Sequence, residues 1–291
     1  MKFSRDAYVL VSLRRLWRSP RAKIGLSFVV GIAFLAVAAP VISSYDPNGL
    51  DIAHRLLPPA SGWHIFGTDD IGRDILTRSM WAGRISLSVA VLSVAVALLI
   101  GLPLGLAAGY RGKLVDETIS RFVDVMLAFP PILMALVIVT ILGPGIWDLS
   151  LAIGIAYFPG MVRIIRGGVL VEKQKLYVEA SKAKGESGLY IIASHILPNI
   201  QGPLLVQSTL NLSTAMLYEA FLSFVGLGIS APTASWGSMI SSGQGFIQSA
   251  PWMAVFPGIF LSIAVLGFNL LGDGLRDAFD PRLLEGGGRH E

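Results

Sequence analysis

Apolar positions along the chain gather into six runs, at 24–42, 85–109, 122–143, 146–162, 200–225 and 252–271. A helix needs about 20 largely apolar residues to cross a bilayer, so the pattern predicts six spans. Pro103 interrupts the second run and Pro130-Pro131 the third. Such breaks are common in membrane helices, where neighbouring helices satisfy the freed backbone groups. Between the fourth and fifth runs lies 177–199, reading YVEASKAKGESGLYIIASHILPN, the longest stretch able to fold in water between strongly apolar segments. From Leu189 onward, Leu189, Ile192, Ala193 and Ile196 recur at helical spacing and share one face. The stretch therefore predicts a short helix, a glycine break and a second amphipathic helix, with Pro198 as the stop. Ala180, Ser181, Ala183, Gly185, Ser187 and Gly188 are small enough to let another protein approach the backbone. By pattern alone, an ordinary amphipathic connector is the plainer reading.

Composition agrees with the runs. The chain has 291 residues, 53% hydrophobic and 14% charged, with a mean hydropathy of +0.66. Soluble domains carry nearer a quarter charged residues, so this is an all-α polytopic membrane protein. It has no cysteine, which excludes a disulfide framework or a thiolate metal site. His54, His64, His195 and His290 show no metal-ligand spacing, and no metal is expected. Nothing points to nucleic acid.

Charge placement sets the topology. With the N-terminus inside, the inner segments hold 19 of the 23 lysines and arginines, and the outer ones hold only Arg55, Arg73, Arg78 and Arg84. That asymmetry satisfies the positive-inside rule. It predicts both termini in the cytoplasm and makes 163–199 the largest inner loop. Lys2 and Arg5 open a long basic leader to the first run; leader and run length favour a retained helix over a cleaved signal peptide.

Local chemistry is sparse. Gly67 to Asp74 reads GTDDIGRD, with three carboxylates, but Arg73 lies between them and calcium-loop spacing is absent. The plainer account is a turn, with Thr68 or Asp69 capping the helix that enters the second span. Glu219 is ionisable and lies within a span, which is costly unless the group is paired or wet. Its position favours the outer interface and a bond to a neighbouring helix; Asp124 and Asp148 also lie at span ends. Gly112-Lys113 is followed by Leu114, with Ala107 where a first P-loop glycine would stand, so no phosphate cradle is present. The chain is not expected to be an enzyme.

The residues resemble the permease subunits of ATP-binding-cassette importers. Those carry a cytoplasmic loop of the form E-A-A, three residues, G, nine residues, I-x-L-P; Glu179-Ala180-Ser181, Gly185 and His195-Ile196-Leu197-Pro198 fall at that spacing. Ser181 and His195 depart from the pattern, although H-I-L-P-N is similar to the ending usual in the dipeptide and oligopeptide branch. The GTDDIGRD segment, Glu219 to Gly228 (EAFLSFVGLG), and Asn269 to Asp277 with Asp280-Pro281 also look like signatures of the C-type peptide permeases.

The resemblance implies a type I importer transmembrane fold with six transmembrane helices. Residues 1–83 would be an N-terminal addition, 84–273 the core with a coupling loop at 172–199, and 274–291 a cytoplasmic tail. It implies that Glu179, Ala180, Ser181, Gly185, Glu186, Ser187 and Gly188 form the coupling surface seated on an ATPase subunit. The implied partners are a homologous B-type permease, two ATPase subunits that carry the ATP and Mg, and an extracytoplasmic substrate-binding protein. The implied task is import of di- or oligopeptides across the cytoplasmic (inner) membrane by alternating access. A nickel or glutathione permease is the rival within the class, and an ion-coupled secondary transporter the rival outside it. The latter would need an internal repeat and ionisable groups near the midplane.

Overall fold

The computed structural model describes residues 14–279, all of the regular structure there being helical. Lys2, Arg5, the Asp280-Pro281 pair and the tail at 280–291 lie outside the described residues. The helices are α1 (Pro20–Ile42), α2 (Ile75–Arg111), α3 (Lys113–Leu127), α4 (Pro131–Leu142), α5 (Ile146–Lys173), α6 (Leu176–Ala183), α7 (Gly188–Ile191), α8 (Leu197–Phe224), α9 (Trp236–Gln244) and α10 (Trp252–Phe279). Five of these segments are long and apolar enough to cross a membrane, and the bent pair α3–α4 makes a sixth crossing if taken as one.

Small residues set the packing. On α2, a Cβ at Gly101, Gly105 or Gly109 would come 2.8, 2.7 or 2.6 Å from the Cβ of Met161, Ile165 or Val169 on α5. Both rows step by four residues, so one ridge of α5 lies in a glycine groove of α2. Lipid offers no hydrophobic advantage to helix association, and close backbone approach supplies van der Waals contact instead. The same device seats α1 on α10, where a Cβ at Gly25 would lie 2.5 Å from Leu271 N and one at Gly274 would lie 2.6 Å from the Cβ of Ala22.

The structure departs from the sequence reading at the third run and at the start of α2, and adds a helix between the fifth and sixth runs. The third run is not one straight helix: α3 and α4 meet at 87°. Pro130 and Pro131 supply no backbone N–H, and each disfavours helical geometry in the residue before it. The loop at 226–251 contains α9, started by a capping box in which Ser235 and Ser238 bond each other's backbone N–H. Finally, neither Thr68 nor Asp69 caps α2. Asp74 does, its carboxylate accepting from Thr77 N at 2.7 Å.

The segment that precedes α2 explains where the other two went. Thr68 Oγ1 donates to His54 O at 2.6 Å and accepts from Leu57 N at 2.9 Å. Asp69 accepts from Arg73 Nε at 2.6 Å and from the backbone N–H of Ile71 and Arg73. Gly72 has φ +84° and presses against the segment before it, so that a Cβ there would lie 1.7 Å from Asp51 O. GTDDIGRD is thus a self-bonded turn that ties 47–57 to the start of α2.

Candidate coupling site

The stretch from Glu172 to Asn199 folds as a short helix, a turn and a second helix. Helix α6 stops at Ala183, and Gly185 takes φ +80°, a conformation open to glycine and strained for other residues. Ser187 then caps α7, accepting from Tyr190 N at 3.3 Å. Helix α7 runs through a π turn, Ile192–Ile196, into α8. The glycine-hinged pair of helices agrees with the sequence reading.

Its buried face differs from the expected one. Ile191 and Ile196, five residues apart across the π turn, are buried, and Leu189 stands 80% exposed. One wider turn advances the inward face by about a residue, so a period of 3.6 extended from Leu189 falls out of register. Val178 on α6, Ile191, Ile196 and Ile200 form one apolar cluster with Met161, Ile165 and Val169 of α5. This cluster fastens the loop to the spanning helices.

Polar contacts reinforce it. Glu172, buried at the end of α5, accepts from Lys175 Nζ at 2.5 Å and from the Tyr177 hydroxyl. Burial first, and then the Glu172 carboxylate, push the Tyr177 phenol above its ordinary value, so it remains a donor. Asn199 Nδ2 reaches the Tyr177 hydroxyl at 3.2 Å and His195 O at 2.5 Å. At the C-terminal end of α2, Tyr110 O accepts from Lys173 Nζ at 2.6 Å, and the Tyr110 ring lies under Lys173 and Lys182.

The residues singled out from the sequence divide into two sets. Glu179, Ala180, Gly185 and Ser187 lie on the exposed side, and a Cβ at Gly185 would meet nothing within 4 Å. Ser181, Gly188 and Glu186 turn toward the chain itself. Ser181 is buried and lies 3.0 Å from His195 Nε2. A Cβ at Gly188 would come 2.8 Å from the Tyr110 ring. Glu186 is half-buried, with Oε2 3.6 Å from His195 Nε2. Sequence reasoning missed Leu176, Leu189 and Tyr190, which are exposed at 82%, 80% and 51%. These apolar side chains lie on the two helices either side of the Gly185 turn, and nothing in the described residues covers them.

The remaining candidates are structural. Asp116 on α3 forms a two-point pair with Arg166 on α5, and Asp124 accepts from Arg163 at 2.8 Å. Asp148 lies in the first turn of α5. Glu219 is fully buried and accepts from Ser86 of α2 at 2.9 Å and from Ser223 at 2.8 Å. It does bond a neighbouring helix, as its position suggested. Trp236 joins the same cluster, donating from its backbone N–H to Ser86 Oγ at 3.3 Å and from Nε1 to Ser79 O at 2.9 Å.

The loop and most of the spanning helices fall within a match to a known family. Residues 101–285 match the family described as the binding-protein-dependent transport system inner membrane component. The chain belongs to that family. Residues 9–59 of this permease match the N-terminal transmembrane domain of oligopeptide transport permease C. It is 44% identical to a dipeptide transport system permease protein of Alkalihalophilus pseudofirmus, over 96% of this chain and 93% of the relative. It is 41% identical to an oligopeptide transport system permease protein of Bacillus subtilis, over 90% of this chain and 86% of the relative. Among solved structures, the permease resembles a chain of an inward-facing MetNI methionine ABC transporter, with a TM-score of 0.56 and 22% identity over 70% of this chain and 96% of the other. That likeness concerns the fold. The permease is thus a multi-pass membrane protein of a family built for transport.

Proposed function

We propose that this permease is the C-type transmembrane subunit of an importer that moves di- and oligopeptides across the cytoplasmic membrane. It pairs with a homologous B-type permease, and two ATPase subunits bind beneath. An extracytoplasmic binding protein delivers the peptide. Both termini lie in the cytoplasm, in keeping with the 19 basic residues assigned to that side. Residues 84–273 form the transport core, with 1–83 added before it.

One observation carries this reading. The loop at 172–199 is fastened to the spanning helices by Val178, Ile191 and Ile196, while Leu176, Leu189 and Tyr190 stand exposed around the Gly185 turn. Exposed apolar side chains on a firmly anchored element suit a docking partner. ATP binding closes the ATPases; Glu179, Ala180, Gly185 and Ser187 ride on them, and Ser181, Glu186 and Gly188 hold the loop so that its displacement reaches α5 and α8. The spans then alternate between outward and inward access. The peptide substrate is supported by the names of the relatives.

Purification of the tagged permease from its native membrane tests the assembly and the cargo together. A second permease, two ATPases and a binding protein should copurify, and the reconstituted complex should take up labelled dialanine only with ATP. Uptake of Ni²⁺ or glutathione in place of peptide would reassign the cargo. Uptake by this chain alone, without ATP, would overturn the reading.

A further inference from the structure

We propose that Gln207, Asn211, Thr214 and Tyr218 of α8, with Tyr157 of α5, form a neutral hydrogen-bonding strip that holds the backbone of a peptide in transit. The proposal rests on the peptide-importer reading above and assigns its substrate contacts.

The four α8 residues are spaced by 4, 3 and 4, which places them on one face of the helix. They extend over about 16 Å of helix axis and are centred on the middle of α8 (Leu197–Phe224). Gln207, Thr214 and Tyr218 are half-exposed, and Asn211 is buried beside them. Amides and hydroxyls at that depth are costly against acyl chains and are found facing protein or water.

Their hydrogen-bonding capacity is incompletely used. Gln207 Nε2 donates to Asn211 Oδ1 at 2.8 Å, and no partner among the described residues takes Gln207 Oε1 or Asn211 Nδ2. The Tyr157 hydroxyl is buried against Tyr218, with ring centroids 5.2 Å apart, and shares its hydrogen bonding with the Tyr218 and Thr214 hydroxyls of the strip. By contrast Ser213, on the side facing α10, is satisfied by Asn269 at 2.7 Å. The unused amide groups of Gln207 and Asn211 therefore lie on the strip face of α8.

The chemistry matches one class of ligand. Amide and hydroxyl groups donate and accept, as peptide N–H and C=O groups do. The strip carries no carboxylate for a metal cation and no charge that would select among substrate side chains. Such a surface grips the repeating backbone and tolerates varied residues.

The absence of cysteine allows a direct test in the whole complex, reconstituted with its partners. Thr214→Cys and Tyr218→Cys are treated with a charged, membrane-impermeant thiosulfonate, alongside Leu99→Cys on the exposed apolar face of α2. A thiol must ionise in water to react, and the strip positions should label about tenfold faster than Leu99→Cys. Saturating tri-alanine with the binding protein should slow that labelling about tenfold. Strip cysteines no faster than Leu99→Cys, or labelled at a rate tri-alanine does not change, would overturn the strip assignment while wild type still imports tri-alanine. A wild-type complex that imports no peptide would instead overturn the reading on which it rests.

Discussion

Ser181 Oγ and His195 Nε2 lie 3.0 Å apart, joining the two positions at which the coupling loop departs from the importer pattern. The departures therefore compensate. A hydroxyl on the inward face of α6 meets an imidazole at the π turn, where the pattern places a small residue and an isoleucine. The contact ties the two halves of the loop across the Gly185 turn, with Glu186 Oε2 3.6 Å from the same nitrogen.

Ser181→Ala and His195→Ala should each loosen the loop, and their effects should not add. The coupling energy expected for one such hydrogen bond is about 1 kcal/mol. A double-mutant cycle on the thermal stability of the purified complex measures it; strictly additive effects would mean the two side chains act independently.

Glu172 anchors the start of the loop, accepting from both Lys175 and Tyr177. Replacing it with Ala removes the acceptor of the Tyr177 hydroxyl and the partner of Lys175, a loss of about 1 kcal/mol for the hydrogen bond. Glu172→Ala should raise protease cleavage between Lys173 and Lys184 well above that of wild type. Unchanged cleavage would show that the apolar cluster alone holds the loop.

Before α2, Gly72 combines φ +84° with a backbone contact that leaves no room for a Cβ. The left-handed conformation alone costs an alanine about 1–2 kcal/mol. Gly72→Ala should therefore lower the melting temperature and release 47–57 to proteolysis, while loop mutations leave that segment protected.

The Glu219 cluster distinguishes a structural carboxyl from one that must ionise. Glu219→Gln keeps an acceptor for one of the Ser86 and Ser223 hydroxyls and offers the other an amide N–H to accept, and should retain most uptake. Glu219→Ala opens a cavity beside those hydroxyls and should cost about 2–4 kcal/mol. Equal loss of uptake in both variants, with stability intact, would give the charge itself a role.

How much the sequence discloses varies with the physics of each element. The spans are legible because length and apolarity suffice, and the loop's two helices because Gly185 and Ser187 mark its turn. The bend between α3 and α4 is not, since Pro130-Pro131 looks the same in a kinked span as in an 87° break. The buried face after Gly188 was misread because the π turn shifts its register, moving Leu189 out and Ile191 in. The cap on α2 depends on segment 51–57, which claims Thr68 and leaves the role to Asp74. The polar strip on α8 left a usable signal in the 4, 3, 4 spacing from Gln207 to Tyr218. It is faint beside the surrounding apolar run.

Gly185→Trp in the reconstituted complex tests most directly the claim that the loop transmits ATPase motion. A Cβ at Gly185 meets nothing within 4 Å of this chain, so beyond the local strain of a side chain at φ +80° the added ring projects toward whatever docks there. The account predicts a complex still present in the membrane that hydrolyses ATP without importing peptide. Import with the wild-type number of ATP molecules consumed per peptide would contradict it.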